Sequence, residues 1–361
     1  MKSPLVALAL AMGCGSNADG MTGADARVGT DGGISQPDGG SDAGSPPPSD
    51  AGIPPPPTSH WVRDSVLTVY GVPYVVFHSS QPGDLWLEDS DSSPSHEALY
   101  HRVAGKWVSV FQAFVRSPTS VWVRSPSEAW ILEGGTIHIV GAAGSRDLVL
   151  PSGRYYSTIG DGWIAYFQPG QTVPANCSVF TNDAGVVGFL RITDSGLVDM
   201  PVPNLCSSSL PTNIYMGTAI SLTGDVVSWN GSTWEVTAQL HGGGSDTFGL
   251  LSGSAPNDLY AVGAMDSAHF DGTTWRFFSF DATKLRAQSM WARPWGLKWG
   301  TSSTDAYKFT DGWQDRGQLP GSQNAGFSHI GSDGTDVFVT GEWVQDPVSP
   351  PFSIWIYRYS R

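Results

Sequence analysis

Pro82-Gly83-Asp84-Leu85-Trp86, Pro126-Ser127-Glu128-Ala129-Trp130 and Pro256-Asn257-Asp258-Leu259-Tyr260 are three copies of one phrase, and Gly334-Thr335-Asp336-Val337-Phe338 is a worn fourth. Each reads turn residue, any residue, acid, apolar residue, aromatic. Trp86 and Trp130 stand one period apart, Trp130 and Tyr260 three, and Tyr260 and Phe338 two, with a period of about 40 residues. A fixed period built from short strands and turns marks a β-propeller. The spacing implies seven phases, with degenerate ones near Tyr166, Met216 and Trp299. Short apolar runs stand there: Trp163 to Phe167, Asp225 to Trp229, and Ala306 to Phe309. No apolar periodicity of helical type runs for a useful length, so the expected class is all-β.

The phrase has a second half. Phe270-Asp271-Gly272-Thr273-Thr274-Trp275 and Trp229-Asn230-Gly231-Ser232-Thr233-Trp234 read as strand, tight turn, strand. Asp-Gly and Asn-Gly suit turns whose two central residues both need positive φ. Phe309 to Trp313 and Tyr100 to Trp107, with Ala104-Gly105 at the turn, are looser copies. The Trp after each turn is expected on a blade face, packed against the next blade, where one large aromatic fills a wedge between twisted sheets. Most of the Trp residues are therefore packing rather than ligand contacts.

The chain ends at Ser353 to Tyr359 without the Trp strand that other repeats have, and His60-Trp61-Val62-Arg63 resembles that missing strand. The first strand should complete the last blade, which seals the ring and removes exposed edges. A separation of Trp61 from Tyr357 would contradict this closure.

The ends of the chain differ from its body. All fifteen Trp lie from Trp61 onward. Residues 59–361 are the expected propeller. Residues 15–58 are dominated by Gly, Pro, Ser, Ala and Asp, and such a segment cannot bury enough apolar surface to offset its conformational entropy. It reads as a disordered tether with a typical reach of about 35 Å. Residues 1–14 read as an export signal, with Lys2 ahead of a short apolar run, Leu5 to Met12, that cannot span a bilayer. An ordinary cleaved secretory signal is the alternative to a lipidated one. The formal net charge is −14, of which residues 1–58 hold −4 (Lys2 and Arg27 against six Asp). The acidic remainder argues against nucleic acid as a partner. Cys177 and Cys206 form an even pair in an exported domain, which favours a disulfide closing a loop worth about 3 kcal/mol, with two free buried thiols as the alternative.

Leu10-Ala11-Met12-Gly13-Cys14 resembles the lipobox of bacterial lipoproteins, departing from it at Ala11. The resemblance implies acylation of Cys14, and Gly15-Ser16 after it implies the outer membrane. A lipid anchor would then make the membrane a partner. The full repeat, Ser-x-Pro-x-Asp-Leu-Trp followed by aromatic-Asp-Gly-x-x-Trp, looks like the Trp-rich repeats of large propeller lipoproteins of myxobacteria and related bacteria. It covers roughly residues 60–361 and implies a seven-bladed propeller at the cell surface without implying an activity. Asp-Gly-x-x-Trp is similar to the Asp-box turn of sialidase-like propellers but one residue shorter.

Motifs for chemistry are thin. His241-Gly242-Gly243-Gly244 resembles an esterase oxyanion loop, yet no Gly-x-Ser-x-Gly elbow exists in residues 59–361. Asp89, Asp91, Ser92 and Ser93 suggest a calcium loop, but Pro94 and Tyr100 occupy the positions that need Gly and Glu. The eight His show no metal-ligand spacing, and His101, His138 and His269 fall in the third strand of their repeats, where a structural role is expected. No cofactor and no metal are expected. One segment breaks the repeat: Met290 to Trp299 places Trp291, Trp295 and Trp299 four residues apart, with Arg293 and Lys298 between them. Pro294 and Gly296 preclude a continuous strand. The functional reading is an aromatic and cationic platform for sugar, aromatic or anionic groups, and the structural reading is packing between blades. The leading expectation is a non-catalytic surface lipoprotein that binds a protein or a glycan. A glycoside hydrolase or lyase, and a structural subunit of an envelope assembly, are the alternatives.

Overall fold

The structure, a computed structural model, describes residues 61–69, 75–89, 97–112, 119–142, 144–169, 185–202, 210–221, 223–240, 248–263, 266–278, 287–296, 298–302, 305–310, 312–318, 329–343 and 352–359. The leader, Cys14, the tether, Cys177, Cys206, His241 and the loop from Asp91 to Ser93 lie outside them. Among the described residues there are strands and turns but no helix.

Strand β1 spans Trp61–Val69. Blade 1 follows as β2 (Val75–His78), β3 (Trp86–Asp89), β4 (Glu97–Val103) and β5 (Lys106–Gln112). Blade 2 is β6 (Ser120–Ser125), β7 (Glu128–Glu133), β8 (Thr136–Gly141) and β9 (Gly144–Val149). Blade 3 is β10 (Tyr155–Gly160), β11 (Trp163–Pro169), β12 (Gly185–Thr193) and β13 (Gly196–Pro201). Blade 4 is β14 (Pro211–Tyr215), β15 (Thr218–Ser221), β16 (Asp225–Trp229) and β17 (Trp234–Gln239). Blade 5 is β18 (Phe248–Ala255), β19 (Asp258–Gly263), β20 (Ser267–Phe270) and β21 (Trp275–Phe277). Blade 6 is β22 (Ser289–Trp291), β23 (Trp299–Thr301), β24 (Asp305–Phe309) and β25 (Trp313–Gln318). Blade 7 is β26 (Ile330–Ser332), β27 (Val337–Trp343) and β28 (Phe352–Tyr359), with β1 as its outer strand. Seven antiparallel four-stranded sheets make a seven-bladed propeller.

The closure is the expected one. Trp61 pairs with Tyr359 and Arg63 with Tyr357, and the ladder runs to Val69 opposite Phe352. Ion pairs gather at this seam. Arg102 of blade 1 meets Asp64 of β1 at 3.1 Å, and Arg358 meets Asp336 at 3.3 Å.

The register explains why the phrase has two halves. Its aromatic faces the following blade, and the Trp after the hairpin turn faces the preceding one, so the two meet across a gap. Trp299 lies 6.4 Å from Trp61, Tyr260 lies 6.2 Å from Trp313, and Phe338 lies 6.4 Å from Trp107, all near edge-on. This corrects the expectation that the second-half Trp packs on the next blade. Pairing across the turn, as in Trp275 with Phe270 and Trp313 with Phe309, fixes the side of the sheet on which that Trp stands, and that side faces backwards around the ring. In blade 4 the same Trp, Trp234, stacks on Phe189 of blade 3 at 4.1 Å.

The degenerate phases have a cause in turn chemistry. Between their first and second strands, blades 3 and 4 replace the Pro-x turn with Asp161-Gly162 and Met216-Gly217, all four residues at positive φ. These are the tight hairpins that positive φ at both positions defines. Of the three apolar runs, Trp163 to Phe167 lies in a second strand, and Asp225 to Trp229 and Ala306 to Phe309 lie in third strands. In blade 6 the phrase survives in disguise as Trp295-Gly296-Leu297-Lys298-Trp299, with Trp299 paired to Lys308 as Tyr260 is to His269.

Candidate functional site

The acid of the phrase is a clamp within the blade. Asp84 accepts from the Trp86 indole at 2.7 Å, from Ser80 Oγ at 2.7 Å and from the Ser80 amide at 3.0 Å, and His101 Nε2 stands 3.2 Å away. His101 stacks on Trp86 with ring centroids 4.0 Å apart. Asp258 repeats the pattern with Ser254, with His269 at 2.9 Å and with His269 stacked on Tyr260. Burial alone would raise the Asp84 carboxyl, but the hydrogen bonds from His101, Ser80 and Trp86 outweigh it and leave the group below its ordinary value. His138 in β8 meets Glu133 at 3.0 Å and Asp147 at 2.8 Å. These His and acids are engaged in holding blades together, which leaves the centre of the ring as the place for function.

The first strand of every blade lines a central channel, and the channel encloses a cavity of about 410 Å³. Two groups of polar side chains stand in its wall. His78, at the end of β2, pairs with Glu88 of β3 at 2.8 Å, and His329 lies just ahead of β26. Burial drives the His329 imidazole down to about 4, with His78 adding to the effect, so His329 is neutral at neutral pH. The second group surrounds Arg293, in the turn after β22. Its guanidinium lies 4.2 Å from the Trp291 ring and 4.7 Å from the Tyr215 ring of blade 4. It donates through Nη1 to Ser252 Oγ of blade 5 at 3.0 Å and to the Ala292 carbonyl at 2.9 Å. Asp161, on the hairpin turn of blade 3, faces the same mouth. The protein around Asp161 raises its carboxyl, while amides of Met216 and Gly217 and the charge of Arg293 act the other way.

The five platform residues are divided. Trp291, Arg293 and Trp295 line the channel. Trp299 does not: it is buried in the gap between blades 6 and 7 against Trp61 and Tyr359. Lys298 reaches backwards into blade 5, with Nζ 2.8 Å from Asp258 Oδ2 and 3.1 Å from the Tyr260 hydroxyl. The turn at Pro294 to Gly296 separates these two groups. Sequence reading passed over Tyr215, Ser252, Asp161, His78, Glu88 and His329. A usable signal existed for His78, Tyr215 and Ser252, which stand on inner strands close to the first turn and so face the channel.

Among the described residues no three His, Cys, Asp or Glu side chains are placed to share a metal ion. The fold and cavity define a closed seven-bladed propeller with a central pocket. No protein-family model matches the chain, and no curated protein matches it significantly. Solved propellers do. A structure of YCF48 bound to D1 peptide superposes with a TM-score of 0.53 at 13% identity, covering 84% of this chain and 96% of that one. Virginiamycin B lyase from Staphylococcus aureus gives 0.52 at 13% identity, covering 81% and 98%. A catalytically inactive variant of that lyase with quinupristin gives 0.50 at 14% identity, covering 81% and 98%. At these identities the likeness is one of fold, and the fold serves both an enzyme and a peptide-bound protein.

Proposed function

We propose that this protein is an exported, lipid-anchored binding propeller that takes a protein or glycan ligand at the channel mouth. The observation that carries the reading is the wall of the mouth: Arg293 held between Trp291 and Tyr215, with the half-buried Trp295 beside it. Aromatic faces with a fixed cation are the means by which sugars and peptide side chains are held without chemistry. The peptide-bound propeller among the similar structures is in keeping with it. The anchor rests on the lipobox-like Leu10 to Cys14, the outer-membrane location on Gly15-Ser16, and the oxidised state of Cys177 and Cys206 on their even number in an exported domain. The test is capture from envelope extract and glycan-array binding with the full chain, run beside Trp295→Ala. Capture that Trp295→Ala leaves undiminished removes the channel mouth as the binding site. Cys14→Ser should move the protein from the membrane to the soluble fraction, and retention there would remove the anchor.

A second reading has its own observation. His78, oriented by Glu88 at 2.8 Å, is a candidate general base facing the cavity, with His329 close by. That arrangement suits a lyase or hydrolase. Turnover of a screened substrate that His78→Ala abolishes, with binding retained, would favour this reading over the scaffold.

A further inference from the structure

We propose that Arg293 marks a carboxylate-binding site at the channel mouth, an inference that rests on the channel-mouth reading above and names the ligand chemistry of that site.

The argument starts from the repeat. In the three well-kept phrases, the residue four before the acid answers it. Ser80 answers Asp84, Ser254 answers Asp258, and in blade 2 Arg124 answers Glu128 at 3.1 Å. In blade 6 that slot holds Arg293, and the acid slot holds Leu297. Arg124 and Arg293 are thus the same position in two blades, one with its counter-charge in the repeat and one without. The other acids of the ring do not make up the loss. Asp258, the acid of the neighbouring blade, is taken by Lys298, Ser254 and His269. Among the described residues, every contact of Arg293 is neutral at short range: Ser252, the Ala292 carbonyl, and the Trp291 and Tyr215 rings. Asp161 acts on it electrostatically without forming an ion pair.

A partly buried cation with no ion pair is the costly half of a salt bridge. Stacking between Trp291 and Tyr215 fixes the plane of the guanidinium, and the Ser252 and Ala292 contacts take both protons of Nη1, so the group is pre-organised with Nη2 as the edge left for a ligand. A fixed guanidinium edge without a counter-charge is matched by a carboxylate, which completes the missing half of the pair with a charge-assisted hydrogen bond. The half-buried Trp295 in the same turn supplies an apolar wall for whatever carries that carboxylate. The cavity of about 410 Å³ suits a group the size of a short peptide or a disaccharide. Two sources offer the same chemistry: the C-terminal carboxylate of a peptide and the carboxylate of a uronic acid.

The test uses the full chain and calorimetric titration with paired probes. The pairs are a random tripeptide pool as free acids and as amides, and trigalacturonic acid and its methyl ester, with inorganic phosphate alongside. Saturable binding of one acid at roughly 1 mM or below is expected, weakened at least tenfold or so by amidation or esterification, because one charge-assisted contact is lost. The arm that binds identifies the source. Arg293→Gln should weaken the acid by a similar factor and leave the neutral probe unchanged. Should Arg293→Gln unfold, the acid and neutral pair on the native protein still decides. Equal binding of acid and neutral probe, phosphate binding as tight as either acid, or no binding of either acid overturns the carboxylate assignment. Capture of a ligand at the mouth with no carboxylate dependence overturns it too, while leaving the binding-propeller reading in place.

Discussion

Replacing Trp61 with Ala should open the ring at its seam. Trp61 is 7% exposed in the closing strand, packed edge-on against Trp299 at 6.4 Å and Tyr359 at 5.1 Å. A buried indole removes about 150–250 Å² from water. At about 25 cal/mol per Å² that is ~4–6 kcal/mol, an upper bound because the unfolded chain already buries part of this surface. Core Trp to Ala changes cost about 3–5 kcal/mol, and that is the expected loss here. The control is Val62→Ala, one residue along the same strand and 50% exposed, which should stay within about 0.5 kcal/mol of wild type. Both variants keep the backbone ladder with β28, so the difference isolates the gap between blades 6 and 7. The assay is equilibrium urea unfolding followed by far-ultraviolet circular dichroism, because Trp fluorescence would change with the substitution itself. Equal midpoints for the two variants would refute the account of the phrase as mortar between blades.

Further predictions follow from individual positions. A Cβ on Gly160 would stand 2.3 Å from the Ile214 carbonyl oxygen of the next blade, so Gly160→Ala should cost ~2 kcal/mol or more, whereas Gly249→Ala meets nothing within 4 Å and should be neutral; thermal melts of the pair compare them. His329 titrates near 4 when folded against 6.5 in a free chain, so the unfolded chain takes up the proton first. Stability should therefore be full above about pH 6.5 and fall by roughly 3 kcal/mol as the pH drops towards 4, a fall that His329→Gln should abolish in urea titrations across that range. Asp84 is depressed, so its contribution is full above the unfolded value of about 3.9 and lost as the pH falls through the lower folded value; Asp84→Asn should destabilise at neutral pH and shallow the acid limb of the stability profile.

The sequence made the ring legible because its packing is repeated. Trp86, Trp130, Tyr260 and Phe338 sit in equivalent gaps, and equivalent gaps select similar residues. Closure was legible for the same reason, since β1 is a displaced copy of a fourth strand. The direction in which the fourth-strand Trp packs was not legible. It depends on which face of a twisted sheet looks backwards around the ring, and a one-dimensional pattern carries no such sign. Blades 3 and 4 were hard to place because the tight turns Asp161-Gly162 and Met216-Gly217 lack the Pro and the spacing of the phrase. The channel was legible only in part. Trp291, Arg293 and Trp295 stood out by composition, while Tyr215 and Ser252 come from other blades and meet Arg293 only when the ring closes.

The break in the repeat at blade 6 then has a structural logic. In blades 1 and 5 a Ser and an acid tie the first turn down onto its own blade. In blade 6 both slots have changed, to Arg293 and Leu297, and the Pro slot holds Trp295. The turn keeps its length and its aromatic, Trp299, so the gap to blade 7 is still filled and the ring still closes. Lys298 takes the slot that Leu85 and Leu259 fill elsewhere, and bonds across to Asp258, so blades 5 and 6 stay joined through an ion pair. The substitutions that keep the wall intact are the ones on the gap side, and the ones that release a cation and an indole are on the channel side. A repeat that had merely decayed would have lost both sides together. Trp299→Ala and Trp295→Ala separate the two roles: the first should lower the melting temperature of the whole ring the more, and the second, half-buried beside Gly334, should lower it less while removing ligand binding at the mouth.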